Sequence, residues 1–253
     1  HPRGIDAARA LARIFHALGV DFAILGVEEK EDGDSIRLAG ERGLFEKLAE
    51  ANIKTFAKYQ FKRLVAFGPH EYNAFKHEYP KLGGQYEVFH YTQFLAEHLG
   101  RLRELMVTPV NRTVTYHDPC YLSRHNGEYE APRALLRAIP GLTLAEMGRT
   151  RENGYCCGGG GGGMWLDSFS RDYTRMRLSD RRVLEAVETG ASTLSICCPY
   201  EVSRFEDAVK ATGHEGRLDV RDIAELIDAA MAQPGSVSIR PPTADPGSRA
   251  PRP

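Results

Sequence analysis

The first 119 residues of this 253-residue chain contain no cysteine. Five then follow, Cys120, Cys156, Cys157, Cys197 and Cys198. An odd number with two adjacent pairs is a poor disulfide framework, because sequence neighbours bridge only through strained geometry. No apolar run reaches the roughly 18–20 residues that cross a bilayer. No secretory signal is visible either. A reducing compartment is therefore expected, where clustered cysteines point to metal or redox chemistry. Net charge is scarce, −1 at pH 7, which argues against a nucleic-acid partner held by bulk charge. Arg171, Arg175, Arg177, Arg181 and Arg182 form one local basic group, read as a solvated helix face. The opening HPRGIDAARAL lacks methionine. The chain is therefore read as a piece or processed form of a longer protein, whose membrane or targeting segments it would not report.

What is present is a duplication. RALARIFHALGVDFAILG (Arg9–Gly26) echoes RALLRAIPGLTLAEMG (Arg133–Gly148). FKRLVAFGPHEYNAF (Phe61–Phe75) echoes ASTLSICCPYEVSRF (Ala191–Phe205), and YEVFHYTQFLAEHL echoes LDVRDIAELIDAAM. The offset drifts from about 124 to about 132 residues, as loop insertions produce. In the first half, Ile5, Ala8, Leu11, Ala12, Phe15 and Leu18 predict an amphipathic helix. A strand is expected at Phe22–Leu25, a helix at Leu44–Tyr59 and a strand at Arg63–Phe67. The second half adds a strand at Thr113–Tyr116, a helix near Arg171–Thr189 and a strand at Thr193–Cys197. Alternating strands and helices predict an α/β fold of two tandem βα modules with mainly parallel sheets. The modules are placed at 1–105 and 106–231. The Pro/Gly-rich stretch 232–253 is expected to be a disordered tail.

Three loops carry the cysteines. In parallel sheets, ligands sit beyond the carboxyl ends of strands, so all three loops are expected to converge. Four or five converging thiolates make a soft-metal pocket, suited to iron–sulfur or zinc. The glycine run is no phosphate loop, since no Lys-Ser/Thr follows it.

Cys–x35–CysCysGly–x39–CysPro, set in HDPCYL, CCGGGG and CPY, resembles the CCG-domain family. This is the cysteine-rich module of heterodisulfide reductase B-type subunits and related membrane-associated iron–sulfur oxidoreductases. AILGVEE, GPHEYNAFKHEYP and CCGGGGGGMW look most like the branch that carries electrons from electron-transfer flavoprotein to menaquinone. The resemblance implies a [4Fe–4S] cluster, cubane or non-cubane, on Cys120, Cys156, Cys157 and Cys198. The family's fifth cysteine falls on Glu201, with Cys197 one residue out of register. Zinc on the same four cysteines is the chemical rival. In the first module the ligand positions hold Glu31, Asp32, Gly68 and Glu71, so no iron–sulfur site is expected there. Any leading cysteine would lie ahead of His1. The three carboxylates are read as surface groups at a vacated site, a hard-cation site being the alternative. Gly158, Gly159 and Gly160 would let backbone approach the cluster and aim N–H groups at sulfur, and Met164 and Trp165 would shield it. His117 and Asp118 are read as supporting the Cys120 loop or capping a helix. His70, His90 and His125 are read as satisfied loop histidines.

The resemblance further implies partners: an electron-transfer flavoprotein or similar redox protein, and ferredoxin-type and membrane haem/quinone domains of the parent. It places the chain at the cytoplasmic face of the plasma membrane. Heterodisulfide-type thiol–disulfide reduction and a cluster-free or zinc-binding interaction domain are the alternative functions.

Overall fold

In the computed structural model, which describes residues 2–160, 162–163 and 174–231, the first amphipathic stretch is helix α1 (Pro2–Leu18). It buries Ala7, Ala10, Leu11, Ile14 and Phe15. Ile5 and Ala8 face outward instead, because Arg3 and Arg13 turn the helix toward acidic partners at the far end of the chain. The expected Met164–Trp165 shield, Arg171 and the 232–253 tail lie outside the described residues.

The expected helix at Leu44–Tyr59 is α3 (Arg42–Phe56), preceded by the short α2 (Asp34–Leu38). The expected strand at Arg63–Phe67 is β1 (Leu64–Ala66), which pairs in parallel with β2 (Val88–His90). Between them α4 (Pro69–Asn73) starts with proline at its first turn, where a missing N–H is harmless. Phe22–Leu25 is not a strand. No described strand lies beside it, and Ile24 is 80% exposed. Phe22 is held edge-on against Phe15 at 5.3 Å, and Leu25 packs against the cluster of Phe45, Phe56 and Tyr79.

After α5 (Tyr91–Glu97) and α6 (Leu99–Leu105) comes β3 (Arg112–Tyr116). It is followed by α7 (Glu130–Ala138), β4 (Leu142–Leu144), α8 (Leu178–Glu188), β5 (Thr193–Ile196), α9 (Pro199–Ala211), β6 (Asp219–Asp222) and α10 (Ile223–Ala230). The four strands form a parallel sheet in the order β4-β3-β5-β6. β5 is buried along its whole length, as expected when helices cover both faces. The fold is thus α/β, and among the described residues both sheets are parallel.

The largest apolar core joins both halves: Ile14, Tyr91 and Leu95 pack with Val114, Leu135 and Ile227. A second core belongs to β5, α8 and α9, and a third, around Phe45, Phe56 and Tyr79, to the first half. α1 packs on α10, where Arg13 pairs with the buried Asp228 at 2.7 Å and Arg3 with Glu225 at 2.7 Å.

Candidate metal centre

Adjacent strands β4, β3 and β5 run in one direction, so the loops that follow them meet. The loop after β3 carries Cys120, the loop after β4 carries Cys156 and Cys157, and Cys198 is the N-cap of α9, with Pro199 next to it. Cys120 Sγ lies 3.8 Å from Cys156 Sγ, a non-bonded contact well beyond the ~2.05 Å of a disulfide. Cys120, Cys157 and Cys198 line one hollow together with Glu201 and, from the first half, His70. Three distant loops therefore bring four sulfurs to one place.

The glycines after Cys157 make this possible. Gly158 has φ +73°, a conformation that side chains other than glycine rarely adopt. From there the Gly158 N–H donates to Cys156 Sγ at 3.3 Å and the Gly159 N–H to Cys157 Sγ at 3.4 Å. The loop then folds on itself, and a Cβ at Gly163 would sit 2.4 Å from the Gly158 carbonyl oxygen.

The thiols share protons unevenly. Hydrogen bonds from Cys120 and Cys157, helped by the Gly158 N–H, hold the Cys156 thiol far below its usual range despite burial. The matching bond to Cys156, and then burial, pushes Cys120 and Cys157 up. Burial and the neighbouring Glu201 push Cys198 up. Burial also raises Glu201, with His117 opposing it. Each of these protons stands where a cation would compete for the same sulfur or oxygen. Four soft sulfurs and one carboxylate fit an iron–sulfur cluster.

Cys197 points elsewhere. Its Sγ lies 3.2 Å from Tyr116 Oη inside the large core. His90 is not a loop histidine: it is wholly buried, caps α5 and meets the Cys197 carbonyl through Nε2 at 3.2 Å.

Behind the hollow stands a line of buried polar groups. Arg182, expected on a solvated face, is wholly buried. Its Nε donates to His117 Nδ1 at 3.1 Å, and its Nη1 donates to the Arg149 carbonyl and Glu185. Because His117 Nδ1 accepts, the ring proton sits on Nε2, 3.2 Å from Glu201 Oε1. That approach is close but off the hydrogen-bond axis, so His117 Nε2 and Glu201 Oε2 have no hydrogen-bond partner among the described residues. His117, Cys157 and Glu201 bring one donor atom each within 4.8 Å of one another. A protonated Nε2 has no lone pair for a metal, so in this tautomer His117 stands beside Glu201 as a neighbour and not as a ligand. The clue in the sequence was Arg182 and Glu185 falling on the apolar face of α8 with Val183 and Ala186.

Asp118 caps no α-helix among the described residues. Arg133 grips it at 2.6 and 2.9 Å, and the Arg151 N–H donates to it at 2.8 Å. Both side chains of the Asp118–Arg133 pair are buried. The pair ties the Cys120 loop to α7 and to the approach to Cys156.

In the first half, Glu31 is exposed, as expected. Asp32 and Glu71 are not surface carboxylates. Asp32 is 8% exposed, and burial with the Glu71 charge pushes it up to about 7. Glu71 Oε2 is buried without a hydrogen-bond partner among the described residues. A Cβ at Gly68, the counterpart of Cys198, would meet that oxygen at 2.0 Å. Glu71 thus fills the space a cysteine side chain would need.

Residues 114–200 match the family described as the cysteine-rich domain, CCG. These residues belong to the CCG domain. Cys120, Cys156, Cys157 and Cys198 all lie inside the CCG domain, and Glu201 stands just past it. The chain is 43% identical over 227 residues to the "Probable iron-sulfur-binding oxidoreductase FadF" of Bacillus subtilis (strain 168), covering 89% of this chain and 31% of that protein. It is 37% identical over 225 residues to the EtfAB:quinone oxidoreductase of Syntrophomonas wolfei, with 88% and 31% covered. It is 35% identical over 233 residues to one subunit of the dihydromethanophenazine:CoB–CoM heterodisulfide reductase of Methanosarcina barkeri, with 88% and 55% covered. The chain thus spans 31% of the first two relatives. No helix among the described residues is long and apolar enough to cross a membrane.

Proposed function

We propose that this chain is an iron–sulfur electron-transfer module of an oxidoreductase, holding one [4Fe–4S] cluster through Cys120, Cys156, Cys157 and Cys198. The observation that carries it is the meeting of those sulfurs, with Cys120 and Cys156 3.8 Å apart and two peptide N–H groups donating to sulfur. The cluster supplies reversible one-electron storage. The protein's part is to hold the thiolates, to stabilise added negative charge through the Gly158 and Gly159 N–H groups, and to offer the Glu201 carboxylate at a fifth position. The named activities of the relatives support electrons arriving from a reduced flavoprotein and leaving toward membrane quinone. Further redox domains of the parent, at the cytoplasmic face of the membrane, would complete that path.

Anaerobic reconstitution followed by iron and sulfide assay tests the reading. About four of each per chain are expected, and uptake of zinc alone or of nothing overturns it. Electron paramagnetic resonance of Glu201→Cys tests the fifth position, and an unchanged spectrum removes Glu201 from the ligand set. Thiol–disulfide reduction is the second reading, favoured by the likeness to a heterodisulfide reductase component. Turnover of a small disulfide with a reduced mediator would support it.

A further inference from the structure

The first half has lost its ligands but has not withdrawn from the centre. His70, at the start of α4, reaches the hollow that Cys120, Cys157 and Cys198 line. Its Nδ1 meets Asp34 Oδ2 at 2.7 Å, and both side chains are buried. Asp34 is itself fixed, its Oδ1 taking Arg37 Nη2 at 2.7 Å. Tyr121 lies against one side of the imidazole, tilted by 31° with centroids 4.2 Å apart, and Tyr200 stands edge-on at 5.2 Å. The Cε1–Nε2 edge faces Gly160, where a Cβ would lie 3.0 and 3.2 Å away. Nε2 carries no hydrogen bond among the described residues. A carboxylate-backed imidazole, locked in place with its second nitrogen turned to a redox site, is the arrangement that moves protons.

We propose that the Asp34–His70 pair is a proton-exchange site at the mouth of the sulfur centre, so that electron uptake there is accompanied by proton uptake on His70 Nε2. The inference rests on the iron–sulfur reading. A reduced flavoprotein loses one electron and the centre gains it. His70 takes one proton from solvent through Nε2, and Asp34 holds the Nδ1 proton throughout. When the electron leaves, the proton returns to solvent. The charge added to the hollow is thereby offset beside it instead of accumulating among buried carboxylates.

The groups facing His70 from every side fit this role. Burial lowers its affinity for a proton, but the Asp34 hydrogen bond and the Asp34, Glu71 and Asp32 charges more than restore it, so its pKa is raised. Glu201 on α9 lines the same hollow and is a further acidic neighbour. Arg37 opposes from behind Asp34. The Tyr121 and Tyr200 rings flank the imidazole, and Cys120, Cys157 and Cys198 close the hollow.

The test is a redox titration of the anaerobically purified holoprotein followed by electron paramagnetic resonance, with Cys198→Ser identifying the signal. Iron and sulfide content report on the cluster reading, whereas the pH slope of the potential reports on the proton. Wild type should lose about 59 mV per pH unit across the imidazole's titration range, the value for one proton per electron. His70→Gln with unchanged iron should flatten that slope. Asp34→Asn should move the sloping range to lower pH, and it serves alone if His70→Gln loses its iron. A flat wild-type potential, a slope retained in His70→Gln, or an unmoved range in Asp34→Asn overturns the proposal.

Discussion

At the residue scale, neighbours in sequence have different fates. Cys198 faces the hollow, while Cys197 rests against Tyr116 in the core. Cys198→Ser should therefore lose most of the bound iron and Cys197→Ser should keep it, as iron assay after anaerobic purification will show. Asp222 provides a pH test. It is buried, its Oδ1 takes bonds from Tyr91 Oη at 2.7 Å and Ala224 N–H at 2.8 Å, and burial pushes it up to about 7 against those bonds. The folded protein holds this proton more tightly than the unfolded chain does. Its contribution is thus fully present below about pH 4 and is lost as pH rises through about 7. Urea unfolding free energies at pH 5 and pH 8 should differ in wild type, and the difference should shrink by about 1–4 kcal/mol in Asp222→Asn.

At the element scale, the centre depends on how strand ends are linked. Asp118 and Arg133 join the β3 loop to α7 with both charges buried. Removing one partner leaves the other charge unpaired, which costs about 3–5 kcal/mol. Arg133→Met should lower the urea unfolding free energy by that order and loosen iron retention. Gly163→Ala should also release iron, because the new methyl meets the Gly158 carbonyl and breaks the turn that aims N–H groups at sulfur. Much of this was legible in advance. The apolar run of β5, the proline after Cys198 and the glycines after Cys157 each carry a local signature that long-range packing leaves intact. Phe22–Leu25 was misread because an apolar run becomes a strand only with a strand beside it, and periodicity carries no information about neighbours. Arg133, Arg182 and Glu71 were missed for a related reason. A charged residue is buried only when its partner arrives from elsewhere in the chain, and Asp118, His117 and the space above Gly68 are supplied by the fold.

At the scale of the whole molecule, the two repeats are not separable bodies. α1 lies on α10, the largest core takes residues from both halves, and His70 and His90 reach across to the cysteine loops. Residues 106–231 expressed alone should lack a cooperative thermal transition, because α10 would expose the apolar face that α1 covers. Circular dichroism melting of that fragment against the full chain checks this. A milder lesion, Arg13→Ala, strands the buried Asp228 and should lower the melting temperature without altering iron content. The α1–α10 seam also has a consequence for synthesis. Arg13 and Asp228 are 215 positions apart, so a ribosome delivers the first helix long before its berth exists. Loop-closure entropy grows only logarithmically with such a span, and the finished protein hardly feels it. The burden falls instead on the nascent chain, whose Leu11, Ile14 and Phe15 must stay shielded from strangers until α10 emerges.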